Sequence, residues 1–350
     1  MYSGLNLADI DRRDGDAAIG VDVGGTKTAL GLIDAATLTL LETTVIPTGR
    51  DRGGEAVLRD VEKHVSRLSG TARQRGRRVA GIGVVVPEIV NLAGQITSSA
   101  VIPRWNELPV AWVLSGIAPT VIEADVRAAA FAEAALGAGR DYEYHVFLTL
   151  GTGISYCAVA GGRPFAGAHG GALNIGTSVL AVVPPEVGQD GREVVLEHIA
   201  SGSALVRRYV ERGGTAQRAE EVLAAARAGD RAAIDVLDTG ARALGIGIAL
   251  LVNLLDPQAV VVGGGLGSAD TGYWTAAERW ARHYSHAHAS SIVLTRGELG
   301  PDAGVIGAGL TGLLAGRTLR QRDHTDLGDA REARSPGLGA TNCDNSTPQV

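Results

Sequence analysis

Apolar and polar positions along this chain change rhythm several times, and each rhythm predicts an element. Residues 17–23 are apolar apart from Asp22 and read as a buried strand, ended by Gly24-Gly25-Thr26-Lys27-Thr28. Residues 29–34 and 38–47 follow as two more strands, so a glycine-turned hairpin opens the fold. Over 54–76 the period lengthens: Val57, Leu58, Val61, Val65 and Leu68 fall on one helical face and charges fill the other. A strand at 79–86 ends at Pro87, a short strand follows at 120–122, and 125–136 is an alanine-rich helix. The pattern then restarts with a strand at 144–150, the turn Gly151-Thr152-Gly153, a strand at 154–160 and the turn Gly161-Gly162. Helices are predicted at 196–211, 218–227, 230–238 and 239–255, and a strand at 259–262 ends at Gly263-Gly264-Gly265. A helix at 273–286, a strand at 291–295 and a helix at 304–314 complete the series.

An apolar strand, a glycine turn beside a threonine and a returning strand thus occur at 19–33 and again at 146–160. This is a weak internal duplication of an α/β unit. Residues 1–16 read as a loose leader with Asp9, Asp11, Asp14 and Asp16 and no apolar h-region, unlike a signal peptide. Residues 317–350 lack periodicity and read as a disordered tail. The best apolar run, 245–255, contains Asn253 and is too short for a membrane span of ~20 residues. A cytoplasmic protein is expected.

Composition sharpens this picture in three places. Glycine reaches 49 of 350 residues, about twice the usual share, and clusters after apolar runs, as tight strand-to-loop turns and close backbone–ligand approaches require. The formal charge of −6 argues against a nucleic-acid or anionic-membrane binder. The two cysteines, Cys157 and Cys343, build neither a disulfide framework nor a multi-cysteine zinc site. Only two lysines, Lys27 and Lys63, stand against thirty arginines, which reflects codon usage more than function.

Four segments are candidates for chemistry. In Asp22-Val23-Gly24-Gly25-Thr26-Lys27, backbone N–H groups can approach phosphate oxygens, Thr26 adds a hydroxyl, Lys27 a cation, and Asp22 a site for metal-bound water. An ordinary hairpin turn would use the same residues, and the spacing is neither a Walker A nor a G-x-G-x-x-G pattern. Thr149-Leu150-Gly151-Thr152-Gly153 repeats that design, so the two loops together can clamp a polyphosphate. Gly263, Gly264 and Gly265 make a flat surface for a nucleoside, or a flexible turn. In Glu123-Ala124-Asp125-Val126-Arg127, Asp125 is either a helix N-cap or a general base on a hydroxyl.

Together these segments resemble the ROK family (repressors, uncharacterised frames and sugar kinases) of the actin-like sugar kinase superfamily. D-V-G-G-T-K resembles its first phosphate motif and L-T-L-G-T-G-I its second. Leu196 through Leu205 resembles its E-x-Y-A-S-G-x-A-L helix start, and 243–265 resembles its C-terminal domain. The match covers roughly 17–315 in order. The resemblance implies an α/β fold of two actin-like (ribonuclease H-like) domains around a cleft: 17–122, with helix 304–316 packing back on it, and 123–303. It implies ATP and Mg²⁺, a small sugar-like acceptor, no nucleic acid, no membrane, and a homodimer. It gives Asp125 the role of catalytic base, Asp22 a water-mediated hold on Mg²⁺, and Glu197 a contact to acceptor hydroxyls.

Departures from the family pattern point at the acceptor. The family's Asn before the base is Ala124, and its Gly-Glu-x-Gly-His segment reads Leu173-Asn174-Ile175-Gly176-Thr177. Asn174 and Thr177 thus take the positions of a Glu and a His. The family's cysteine run is missing from 178–196, so no structural zinc is expected. His169 and His198 read as ordinary histidines. The resemblance implies phosphorylation of a primary exocyclic hydroxyl, and of the acceptors known in the family it is the C7-cyclitols (valienone, validone or epi-valiolone type) of antibiotic biosynthesis that are preferred, because the lost contacts lie on the anomeric side. Kanosamine 6-kinase and glucokinase are the alternatives. A transcriptional regulator would carry an N-terminal helix-turn-helix domain, where only sixteen residues, four of them aspartate, precede the first strand here; the lost hydroxyl contacts also fit a catalytically dead sugar sensor, although the base position Asp125 is kept.

Overall fold

The first apolar run forms β1 (Asp16–Val23), buried along its length except at Asp22. It turns back into β2 (Lys27–Asp34), with Val23 opposite Thr28, and β2 into β3 (Leu40–Pro47), all antiparallel. The amphipathic α1 (Gly54–Gln74) crosses one face of this meander and returns the chain as β4 (Arg78–Val86), parallel to β1. A long connection containing α2 (Val110–Ser115) leads to β5 (Thr120–Ala124), parallel to β4, and α3 (Asp125–Leu136) starts at the next residue. The sheet order is β3-β2-β1-β4-β5. Residues described by this computed structural model are 5–183, 192–269, 272–289 and 291–332.

The second half repeats the layout. β6 (Tyr144–Leu150), β7 (Ile154–Ala160) and β8 (Arg163–Pro164) form a meander, and a separate ribbon pairs β9 (Val179–Val183) with β10 (Arg192–Val195). Helices α4 (Glu197–Ala200), α5 (Gly202–Val210), α6 (Ala219–Arg227) and α7 (Arg231–Leu255) carry the chain to β11 (Ala259–Gly263), parallel to β6. Then α8 (Gly265–Ser268) and α9 (Gly272–Tyr284) lead to β12 (Val293–Arg296), parallel to β11. The order β12-β11-β6-β7-β8 matches that of the first sheet, so the duplication seen in the two glycine turns is a duplication of the whole sheet. This is the two-domain actin-like α/β arrangement.

Two cores hold the sheets. Ile19, Val21, Leu30 and Ile82 pack with Val61 and Leu68 of α1 and with Trp105, while Leu148 and Val260 pack with Leu244 and Val252 of α7 and Trp274 of α9. The last helix, α10 (Ala303–Glu332), lies across β1 and β4 and against α3. It approaches so closely that a methyl group on Gly83 would collide with the carbonyl of Ala308.

Several boundaries differ from those expected. The predicted helices 230–238 and 239–255 are one helix, because Gly240 is not a stop here: its bare Cα accepts Leu205 Cδ2 and the Tyr273 hydroxyl, each 2.9 Å from where a Cβ would sit. The predicted helix 196–211 is two, α4 and α5, divided at Ser201, whose hydroxyl caps α5 by accepting from Ala204 N at 3.2 Å. The ribbon β9–β10 has no counterpart among the predicted elements. From Leu5 onward the leader is packed: Leu5 and Ile10 are 2% and 8% exposed and cluster with Val305 and Leu310 of α10. Residues 1–4 lie outside the described residues. Helix α10 runs on through 317–332, where no proline intervenes before Pro336; the rest of the expected tail, 333–350, lies outside the described residues. Among the described residues no helix is long and apolar enough to cross a membrane.

Candidate active site

β1, β4 and β5 are parallel, so their carboxyl ends share one edge, where an open α/β sheet binds ligands. Each end brings a carboxylate: Asp22 within β1, Glu88 just past β4 and Asp125 just past β5. Asp22 packs against Gly304 in the first turn of α10. Burial pushes its carboxyl up to about 6, against the pull of Lys27. No hydrogen-bond donor reaches it among the described residues. Asp125 opens α3 behind Ala124, an N-cap without a capping side chain, and its Oδ1 accepts from Val126 N at 2.6 Å. Burial first, then the charges of Asp22 and Glu88, push its carboxyl up to about 7; the Val126 N–H and Arg127 act in the opposite direction.

The first glycine loop is braced from β3. Thr48 Oγ1 donates to Gly24 O at 2.6 Å, Thr48 N to Thr26 O at 3.0 Å, and Gly24 N to Lys27 O at 3.0 Å. Gly24 and Gly25 are half-buried, whereas Thr26 and Lys27 are exposed and free to meet a ligand. The second loop is braced from α5: Gly202 N donates to Gly151 O at 2.8 Å and Ser203 Oγ to Thr152 O at 2.7 Å. Gly151 N closes the turn on Gly153 O at 3.0 Å. The third loop leaves β11 beside the end of β6, with Gly264 at φ 80° over the Leu150 carbonyl and Gly265 open on its Cβ side. Gly151 and Gly265 are neighbours, so the second and third loops form one surface.

The acceptor candidates are near that surface but already engaged. Glu197 Oε2 accepts from Ile154 N at 2.8 Å and lies against Gly153. Thr177 Oγ1 donates to Asn174 Oδ1 at 2.8 Å in an exposed turn, tied to Glu197 by its N–H to Gly176 O at 2.9 Å. His169 and His198 are exposed. Residues 184–191, within the segment that replaces the cysteine run, lie outside the described residues; among the rest no cluster of three or more His, Cys, Asp or Glu is placed to hold a metal.

Two features carry weight that sequence reasoning did not give them. Glu88 is buried and accepts from Ala100 N at 2.9 Å, Val101 N at 2.8 Å, Ile102 N at 3.0 Å and Ser98 Oγ at 2.6 Å. It thereby shapes a loop whose Val101 Cγ1 lies 2.9 Å from where a Cβ on Gly25 would be. Its sequence signal was a charged residue directly after an apolar strand and a proline. Arg127 and Glu123 form a buried ion pair at the base of Asp125. Their i,i+4 spacing in a named motif was the signal for it.

Known proteins resemble this chain over most of its length. The chain is 30% identical over 313 residues to a glucokinase of Halalkalibacterium halodurans, covering 83% of this chain and 93% of that protein. It is 28% identical over 252 residues to the kanosamine kinase of Amycolatopsis mediterranei, covering 71% and 80%. The crystal structure of a ROK family glucokinase from Streptomyces griseus in complex with glucose and AMPPNP superposes with a TM-score of 0.70 at 28% identity, over 85% of this chain and 99% of that one. The ROK family model matches residues 18–311, and the chain belongs to the ROK family.

Proposed function

We propose that this protein is an ATP-dependent kinase acting on a primary exocyclic hydroxyl of a sugar-like acceptor. The observation that carries this reading is a half-buried aspartate, Asp125, whose carboxyl is pushed up to about 7 by desolvation and by Asp22 at the strand-end edge beside the Gly24–Lys27 loop. The lobes in this reading are 17–122, with 304–316 against it, and 123–303. Gly25, Thr26 and Lys27 on one side, and Thr152 and Gly153 on the other, offer N–H, hydroxyl and ammonium donors to the phosphates of ATP, while Gly24 and Gly151 close the two turns with their own N–H groups. Gly263, Gly264 and Gly265 support the nucleoside. Asp125 takes the proton of the acceptor hydroxyl as its oxygen bonds to the γ-phosphorus; the bond to the bridging oxygen breaks and ADP leaves. Asp22, with no donor on its carboxylate among the described residues, fits a residue that holds Mg²⁺ through water, and the ion when bound neutralises phosphate charge. A homodimer belongs to the proposal, and its mass in solution tests it.

For the acceptor we favour a C7-cyclitol. Ala124 offers no polar side-chain atom beside the base, Asn174 and Thr177 satisfy each other, and Glu197 holds the Gly153–Ile154 turn. Few groups remain to read an anomeric hydroxyl. Kanosamine and glucose are the alternatives, supported by what the named relatives act on. An ATP-dependent turnover screen of glucose, kanosamine, N-acetylmannosamine and validone separates them. Glucose turned over as well as validone removes the cyclitol preference, and turnover of none of the four overturns the kinase reading.

A further inference from the structure

Arg127 is 5% exposed and all three of its nitrogens are engaged. Nε donates to Glu123 Oε1 at 2.6 Å, Nη1 to Gly170 O at 2.6 Å and Nη2 to Val90 O at 2.8 Å. The two carbonyls come from opposite halves of the molecule. Val90 follows β4 of the first sheet, in the short bridge Val90–Ile96 whose turn is held by Asn91. Gly170 follows β8 of the second sheet. The two segments touch there: a methyl group on Gly170 would collide with the carbonyl of Val90. Glu123 accepts from Ala124 N at 2.7 Å as well, which fixes the carboxylate that orients the guanidinium.

What these segments carry gives the contact its meaning. Glu88, which shapes the loop over Gly25, is two residues before Val90. The Asn174–Thr177 turn begins four residues after Gly170. Asp125 is two residues before Arg127 on the same helix. One planar cation therefore joins the Val90 and Gly170 segments to the helix that bears Asp125. A guanidinium suits this, because its donors leave one plane in fixed directions, whereas a lysine ammonium is a point charge that cannot hold a carboxylate and two separated carbonyls in that geometry.

We propose that Arg127 is a positioning residue for the acceptor: by bonding Val90 and Gly170 at once, it fixes the distance between the two acceptor walls and their placement against Asp125. The proposal rests on the kinase reading for its substrate but not for its geometry, and the test separates the two. Arg127→Lys keeps the charge beside Glu123. The double variant Glu123→Gln with Arg127→Met removes both charges together, which avoids stranding a buried carboxylate. Both are assayed where circular dichroism shows them folded, with whichever of glucose, kanosamine, N-acetylmannosamine and validone the wild type turns over fastest. We expect KM for that acceptor to rise about tenfold or more while KM for ATP moves less than about threefold. Hydrogen exchange in the ligand-free protein is expected to quicken in 89–96 and 166–176 together and to stay unchanged in the Gly24–Lys27 loop. An acceptor KM within about twofold of wild type, a loss confined to kcat, or unchanged exchange in either segment overturns the proposal. Wild-type inactivity on all four acceptors sinks the kinase reading, and the exchange measurement then decides the clamp by itself.

Discussion

In the proposed mechanism Asp125 must lose a proton to act as a base, yet its surroundings favour keeping one. Burial and the neighbouring Asp22 raise its carboxyl from 3.8 to about 7, and burial raises Asp22 to about 6. Since kcat/KM reports the free enzyme, it is expected to climb with pH up to about 7 and then level off. Below about 6 it should fall more steeply, as Asp22 also takes up a proton. A flat profile across this range would remove Asp125 as the base. The same shift has a stability consequence of opposite sense. Between 3.8 and about 7 the native state holds a proton that the unfolded chain has released, so stability falls as pH rises through that window. Asp125→Asn removes this charge, so the variant should be inactive yet more stable than wild type at pH 8. The gain should be on the order of 2 kcal/mol, and it should shrink towards nothing near pH 4. Thermal melts at the two pH values read it, and an equal difference at both would show that the gain is not electrostatic.

At the scale of elements, Glu133 shows how the second half of the fold is anchored. This carboxylate near the end of α3 is fully buried and accepts from Ala138 N at 2.9 Å, Glu298 N at 3.1 Å and Leu299 N at 2.9 Å. It joins α3 to the connection between β12 and α10. Glu133→Ala leaves three backbone N–H groups without an acceptor and should cost about 3 kcal/mol or more in urea unfolding. A loss under about 1 kcal/mol would show that water replaces the carboxylate. Elements of this kind differ in how legible they were. The hairpin β1–β2, helix α3 and the pair β6–β7 could be read because their periods are local and glycines mark their ends. Helix α7 reads as two helices in the sequence because Gly240 looks like a breaker, whereas Tyr273 and Leu205 need its small size. Leu5 and Ile10 looked loose because their partners on α10 are some three hundred residues away. Asp125 and the three glycine loops were legible from residue type and spacing. The bonds of Glu88 and Arg127 were not, because their backbone partners carry no mark in the sequence.

At the scale of the whole molecule, the two halves share one sheet order, and in the proposed function the acceptor is met by residues from both of them. Specificity should then depend on several positions acting together: Ala124 at the end of the first sheet and Asn174 with Thr177 beyond the second. A site built to bond a hydroxyl discriminates strongly against ligands lacking it, whereas an apolar or self-satisfied site discriminates weakly. In this chain Ala124 is buried, and Asn174 accepts the Thr177 hydroxyl instead of a ligand's. Converting all three positions at once, Ala124→Asn, Asn174→Glu and Thr177→His, supplies polar groups from both walls. The ratio of kcat/KM for glucose to that for validone is expected to rise about tenfold or more, while KM for ATP stays near wild type because the glycine loops are untouched. Each single substitution should give much less, since one new group on one wall still faces an unmodified partner across the cleft. A triple variant with an unchanged ratio would mean that the acceptor is selected elsewhere, with the Val101 loop over Gly25 the next place to substitute.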